Sequence, residues 1–182
     1  MNREAQIIEW LTQDPLRLQV LASVYSLQLP EGYVAAGFVR NLVWDRLHEK
    51  YHPTPLNDVD VIYFDPQQRD PEREARYEAQ LQACLPDVRW QVRNQARMHR
   101  KNGDAPYTSV KDAMGYWPEK ETAVAVRQTE EGYEVISAFG LHSLFSLCLS
   151  PNPWRSQALF EQRLHTKGWL VQWPLLRVVD SA

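Results

Sequence analysis

Tyr33-Val34-Ala35-Ala36-Gly37-Phe38-Val39-Arg40-Asn41 and Asp58-Val59-Asp60-Val61-Ile62-Tyr63-Phe64 are the two stretches whose reading decides the fold. The first opens as a short apolar strand, turns at a glycine, and continues with Val39, Leu42, Val43 and Leu47 at helical spacing. The loop His52-Pro53-Thr54-Pro55 stops that helix and leads into the second stretch, which alternates as a half-buried strand does. Val59 and Val61 therefore point into the core. Asp58 and Asp60 point together the other way, with Cα atoms roughly 6.5 Å apart.

Upstream, Ile7, Ile8 and Leu11 set a helix over residues 3 to 12, and Asp14-Pro15 caps a second that runs to about Leu27. Downstream, Asp70-Pro71 repeats the cap-and-proline device ahead of a charged helix through about Leu85. Val88-Arg89-Trp90-Gln91-Val92 follows as a third strand. Ser109 with Asp112 starts a short helix, and two alternating runs around Thr129-Glu130-Glu131-Gly132 make a hairpin. Helices are expected over 141 to 149 and roughly 154 to 167, with an extended tail from Trp173 to Val179. The expectation is an α+β fold, a mixed sheet flanked by helices, organised as one domain over 1–182. Within it 1–29 are N-terminal helices, 30–105 the motif-bearing core, and 106–182 a C-terminal hairpin and helices.

The chain has 182 residues, 44% hydrophobic and 24% charged, which is enough apolar content for a real core and too much for a disordered chain. A net charge of -3 argues against gripping long nucleic acid through a uniformly basic face. The polar start carries no signal or transit pattern, and no apolar run reaches membrane-spanning length, so a cytoplasmic protein without a membrane partner is expected. Cys84 and Cys148 lie in apolar, helical-looking segments and read as reduced core thiols. Trp44, Trp90, Trp117, Trp154, Trp169 and Trp173 read as packing anchors, with Tyr107 and Trp117 the two aromatics near a basic loop. His48 and His52 have the spacing of a zinc pair but lack the intervening glutamate of a metalloprotease.

Two convergent carboxylates on one strand can hold divalent ions for in-line attack at phosphorus, and oxygen ligands favour Mg²⁺ or Mn²⁺. Asp58 and Asp60 are thus the candidate metal-binding and catalytic pair. Gly37 sits on the strand-to-helix turn ahead of them, where backbone N–H groups can meet phosphate. Arg40, one turn into that helix, offers a planar fork to phosphate oxygens or to a carboxylate, with Asn41 beside it.

Ala36-Gly-Phe-Val-Arg-Asn41 followed by Asn57-Asp-Val-Asp-Val-Ile-Tyr63 resembles the Gly-Gly-x-Val-Arg-Asp and Asp-x-Asp elements of the CCA-adding enzyme and poly(A) polymerase head domain, in the DNA polymerase β-like nucleotidyltransferase superfamily. Ala36 replaces the first glycine and Asn41 the acid. Most of the chain also resembles a bacterial nucleotidyltransferase-like family of undefined function, through Val39-Arg-Asn-Leu-Val-Trp-Asp45, Asn94-Gln-Ala-Arg-Met-His99, Trp117-Pro-Glu119, Thr122-Ala-Val-Ala-Val-Arg127 and Gly140-Leu-His-Ser-Leu-Phe145. The resemblance implies a third carboxylate on the strand after the Asp58 strand. Parity there turns Val88, Trp90 and Val92 to the core and Arg89, Gln91 and Arg93 to the site, so a glutamine stands where the acid belongs. A glutamine offers a neutral oxygen but cannot take a proton at neutral pH.

Arg89, Arg93, Arg97, His99, Arg100 and Lys101 concentrate positive charge in an otherwise acidic chain. Within that segment Arg97 and His99 are candidates for a triphosphate, and Asn94 for reading a base or bracing a loop. The expectation is a metal-dependent nucleotidyltransferase that moves a nucleotidyl group from an NTP to an unidentified hydroxyl acceptor. Gln91 motivates the alternative of a catalytically impaired nucleotide-binding or regulatory module. An RNA-binding accessory domain is the third reading, and the acidic balance counts against it.

Overall fold

The computed structural model describes residues 1–180. Helices α1 (Arg3–Thr12) and α2 (Pro15–Ser26) are capped by Asn2 and Asp14, whose side chains accept from Ala5 N and Arg17 N. They lead into β1 (Tyr33–Ala35), α3 (Gly37–Leu47), β2 (Asp58–Tyr63), α4 (Arg73–Cys84) and β3 (Arg89–Asn94). Short helices α5 (Met98–Asn102) and α6 (Val110–Met114) come next, with Ser109 accepting from Asp112 N as the local sequence requires. The hairpin is β4 (Val124–Thr129) and β5 (Gly132–Ser137).

These strands form one mixed sheet in the order β3-β2-β1-β4-β5. β2 and β3 are parallel, joined through α4, with Asp58 opposite Arg89, Asp60 opposite Gln91 and Ile62 opposite Arg93. β1 runs antiparallel to both β2 and β4, and β4 and β5 are antiparallel. Strand alternation divides the interior in two. Val34, Val59, Val61, Tyr63, Trp90 and Val92 pack with residues of α1, α2, α3 and Leu81 of α4. Tyr33, Ala35, Ile62, Phe64 and Ala125 occupy the opposite face and pack against Tyr107 and the Val110, Ala113 and Met114 side of α6. Asp58 and Asp60 share this second face, whose helical cover is short.

The C-terminal part departs from the sequence reading. The helix expected over 141–149 stops as α7 (His142–Phe145), because Leu147 takes φ +57° and turns the chain into β6 (Cys148–Leu149). The helix expected over 154–167 is α8 (Gln157–Lys167), and Gly168 at φ +66° breaks it from a further helix, α9 (Trp169–Gln172). Part of the expected tail becomes β7 (Arg177–Val178), parallel to β6. Cys84 is exposed and Cys148 half-buried, since Leu81 is the buried residue of α4 and in β6 it is Leu149, on the other parity, that is buried. Trp154 is exposed rather than an anchor.

α9 and the residues after it fold back on α3. Lys50 lies over Trp173, Trp173 against Trp44, Arg40 between Trp44 and Trp169, and Arg163 against Trp169, at spacings from 4.8 to 5.6 Å. Asp45, almost fully buried, accepts from Trp173 Nε1 at 2.8 Å and from Thr54 N and Oγ1 at 2.7 and 2.6 Å. It thereby ties the α3–β2 loop to the C-terminal segment. His48 has both ring nitrogens engaged, with Trp44 O and Leu175 N, so it is a brace rather than a zinc ligand.

Ala36 caps α3 at φ +59°, ψ -125°, a backbone conformation that suits glycine and strains a residue with Cβ. Relief of that strain opposes the loss of one buried methyl and the greater chain entropy of glycine. The strain is the larger, so Ala36→Gly is expected to raise stability by about 0.5–1 kcal/mol in urea unfolding. Ala36→Val, branched at a positive φ, is expected to lower it by more than about 2 kcal/mol.

Candidate active site

A cleft of about 490 Å³ opens where the cover of the second sheet face ends. Its floor carries Asp58, Asp60, Gln91 and Arg93 from β2 and β3, one wall is the start of α3, and Arg163, Lys167 and Trp169 of the segment that packs on α3 add to the lining. Among the described residues Asp58 and Asp60 are the acidic side chains that line it; Arg40, Arg93, Lys101, Arg163 and Lys167 are the basic ones. A site with that balance favours a polyanion over a cation alone.

The two carboxylates differ in surroundings. Asp58 accepts from Gln91 Nε2 at 3.0 Å and pairs with Arg89 Nε at 3.3 Å, both at the exposed end of the strands. Asp60 is half-buried and, among the described residues, accepts no hydrogen bond from the protein. Burial, and then the neighbouring Asp58 charge, push its carboxyl above the ordinary carboxylate range, against the opposing pull of Arg40, Arg93 and Lys167. A carboxylate with open lone pairs beside a second one fits an Mg²⁺ or Mn²⁺ ion, whose charge would offset both. The described residues contain no group of three or more His, Cys, Asp or Glu able to enclose an ion alone, so an ion held here would need ligands beyond these side chains.

Gly37 and Phe38 begin α3 without a side-chain cap, leaving its first backbone N–H groups on the cleft wall. A Cβ on Gly37 would stand 3.2 Å from Arg40 Nη2 and 3.3 Å from Asn41 Nδ2, so glycine here makes room for the side chains of its own helix. Arg40 is buried, donates to Asn41 Oδ1 at 3.1 Å and to Thr122 Oγ1 at 2.9 Å, and has its pKa lowered to about 10 by burial, partly opposed by Glu119. Thr122 Oγ1 in turn donates to the fully buried Glu119 at 2.7 Å, and Glu119 pairs with Arg163. Arg40 therefore braces the wall through Nε and Nη1, while Nη2, without a hydrogen-bond partner among the described residues, is left to the cleft together with the charge.

The structure gathers Gly37, Arg40, Asn41, Asp58 and Asp60 around the cleft and leaves Asn94, Arg97 and His99 outside its lining. Asn94 is fully buried and clamps the loop after β2, accepting from Asp65 N at 3.0 Å and donating to Asp65 O at 2.9 Å. Arg97 pairs with Glu74 of α4, and the His99 ring lies 6.0 Å from that of Tyr107. Gln91 does stand beside the carboxylates, in register with Asp60. Arg163, Lys167 and Trp169 were not legible as site residues, because no local motif marks them and only the fold-back of α8 and α9 brings them in.

A nucleotidyltransferase family model matches residues 22–178. The chain superimposes with TM-score 0.86 and 31% identity on a protein whose NMR structure is described as revealing a CCA-adding enzyme head domain, over 98% of this chain and 97% of that one. A CCA-adding enzyme in complex with CTP aligns with TM-score 0.62 and 11% identity, over 98% of this chain and 44% of that enzyme. The Thermotoga maritima CCA-adding enzyme complexed with tRNA aligns with TM-score 0.60 and 16% identity, over all of this chain (100%) and 44% of the enzyme. At those identities the two enzymes show the shared fold. No curated protein sequence matches the chain.

The raised Asp60 pKa makes its ionisation unfavourable to folding. That penalty is absent below the unfolded-state pKa near about 3.9 and grows as pH rises through the higher folded value. Without divalent metal, Asp60→Asn is expected to raise the melting temperature at pH 7, with the difference from wild type vanishing below about pH 4 by scanning calorimetry. Added Mn²⁺ is expected to narrow the difference by stabilising the wild type alone.

Proposed function

The chain belongs to this nucleotidyltransferase family, and from that premise we propose that it transfers a nucleotidyl group from an NTP to a hydroxyl acceptor. Asp58 and Asp60 are proposed as the ligands of Mg²⁺ or Mn²⁺. The observation that carries the reading is the pairing of Asp60, without a hydrogen-bond donor among the described residues, with Asp58 on one cleft floor beside the open start of α3. Bound there, the metal would supply charge neutralisation at the reacting phosphoryl group.

The remaining roles fall to the chain's own groups. The first N–H groups of α3 would orient phosphate oxygens, as helix starts do. Arg93, Lys101 and Lys167 would hold the polyphosphate through charge, since each lines the cleft. Arg40 keeps that wall in place and adds a positive field. The aromatic fold-back of α9 shields the carboxylates on one side, and lower water access strengthens these interactions. The acceptor stays at the level of a hydroxyl: the CCA-adding enzyme bound to tRNA is more than twice as long as the part that this chain spans, and tRNA is not carried over.

A second reading, a nucleotide-binding or regulatory module with impaired turnover, is favoured by one observation. Gln91 occupies the register position beside Asp60 and donates to Asp58, so it consumes a carboxylate oxygen and offers no base for the acceptor proton.

Pyrophosphate release from each NTP with Mg²⁺ or Mn²⁺ separates the two. Slow metal-dependent release is expected, falling by roughly 10²-fold or more in Asp58→Asn and in Asp60→Asn. Gln91→Glu is expected to raise it by at least about tenfold by supplying a base. Release that survives both asparagine substitutions would contradict the assignment; saturable binding without release in wild type and in Gln91→Glu would leave the second reading standing.

A further inference from the structure

The end of the cleft remote from the carboxylates carries a different chemistry. Gln95 follows β3 on the parity of Gln91 and Arg93, roughly 13 Å beyond Gln91 at the strand rise of about 3.3 Å per residue. Its residue exposure is 4%, it lines the cleft, and its carboxamide meets no hydrogen-bond partner among the described residues. Neighbouring buried amides are engaged. Asn94 is clamped to Asp65, and Asn152 donates to Gly115 O at 2.8 Å and to Trp117 O at 2.7 Å. Among the described residues the nitrogen and oxygen of the Gln95 carboxamide do not count among the buried polar atoms left without a partner, so solvent in the cleft reaches them and the hydrogen-bonding edge of a ligand can take that solvent's place.

The surroundings define that ligand. Met98, Tyr107, Ala113 and Trp117 line this end and give it apolar and aromatic walls, with Asn102 tied to the Tyr107 hydroxyl at 3.3 Å and Lys101 on the exposed rim. Such a pocket suits a flat uncharged ring that offers a donor and an acceptor side by side. A carboxamide matches the N6/N7 edge of adenine in this way, whereas the N7/O6 edge of guanine presents two acceptors and calls for arginine or lysine.

We infer that Gln95 selects the nucleobase, pairing with the edge of adenine while Met98 and Trp117 cover the ring, so that ATP is the preferred nucleotide. This inference rests on the nucleotide reading of the Asp58 and Asp60 end. Asn94, its neighbour in sequence, faces the other way and takes no part.

Titration calorimetry of the full chain with Mg²⁺ tests it, using ATP, GTP, CTP, UTP, inorganic tripolyphosphate and purine riboside triphosphate, which lacks the N6 amine. ATP is expected to bind roughly tenfold or more tightly than GTP and than purine riboside triphosphate. Gln95→Leu is expected to bring ATP down to the purine riboside level and leave tripolyphosphate binding unchanged. Equal binding of the four NTPs by wild type, or of ATP and purine riboside triphosphate, would overturn the inference without touching the nucleotide reading. So would an ATP preference that survives in Gln95→Leu, or a loss of tripolyphosphate binding in that variant equal to its loss of ATP binding. Binding of neither nucleotides nor tripolyphosphate with Mg²⁺ or Mn²⁺ would overturn the nucleotide reading itself. The wild-type comparison decides the inference even if the variant fails to fold.

Discussion

A buried guanidinium governs the architecture of this cleft. Arg40 has its charge almost wholly removed from water, and a bare cation in that position would cost several kcal/mol. Four kinds of contact offset the cost: the Asn41 oxygen, the Thr122 hydroxyl, the faces of Trp44 and Trp169, and the negative field of Glu119 and Asp60. They are drawn from separate parts of the chain, with Asp60 from β2. α3, the turn before β4 and the start of α9 are all committed to one side chain, and Glu119 extends the commitment to Arg163 on α8. The C-terminal segment is therefore a wall of the cleft rather than an appendage.

The chemistry of the floor follows from strand register. Because β2 and β3 are parallel and pair Asp60 with Gln91, the face that carries the two aspartates also carries Arg89, Gln91 and Arg93. On that face α6 packs against Ile62 and Phe64 and borders the cleft that opens over Asp58 and Asp60. Function and stability oppose each other here. The carboxylate best placed for a cation, Asp60, is the one whose ionisation the empty fold disfavours, as preorganised ligand sites commonly are.

Most of the framework was legible because its signals are local. Alternation in Asp58–Tyr63, the caps at Asp14 and Ser109, and the apolar spacing of α3 each act within a few residues, and the observed elements follow them. The parity that turned Gln91 to the site also implied that Asn94 turns to the core and Gln95 to the cleft, a step that the likeness of the Asn94 segment to family motifs obscured. Leu147 could not be read, since its apolar surroundings fit a helix equally well and only its left-handed backbone ends one. Arg163, Lys167 and Trp169 lie more than 100 residues from Asp58 in sequence and reach the cleft through the Arg40 network, which no spacing rule encodes. In sequence Arg40 offers a fork to phosphate or to a carboxylate; its partners within the protein appear only in three dimensions.

The central claim is that Asp58 and Asp60 hold a divalent ion together with nucleotide phosphate. Crystals grown with Mn²⁺ and a non-hydrolysable NTP analogue, with anomalous data collected at the manganese edge, address it directly. The expected map has an anomalous peak within coordination distance, about 2.0–2.3 Å, of an oxygen of each aspartate, with phosphate density between it and the start of α3. An anomalous peak elsewhere on the chain, or analogue density in the cleft with both aspartates free of metal, would contradict it.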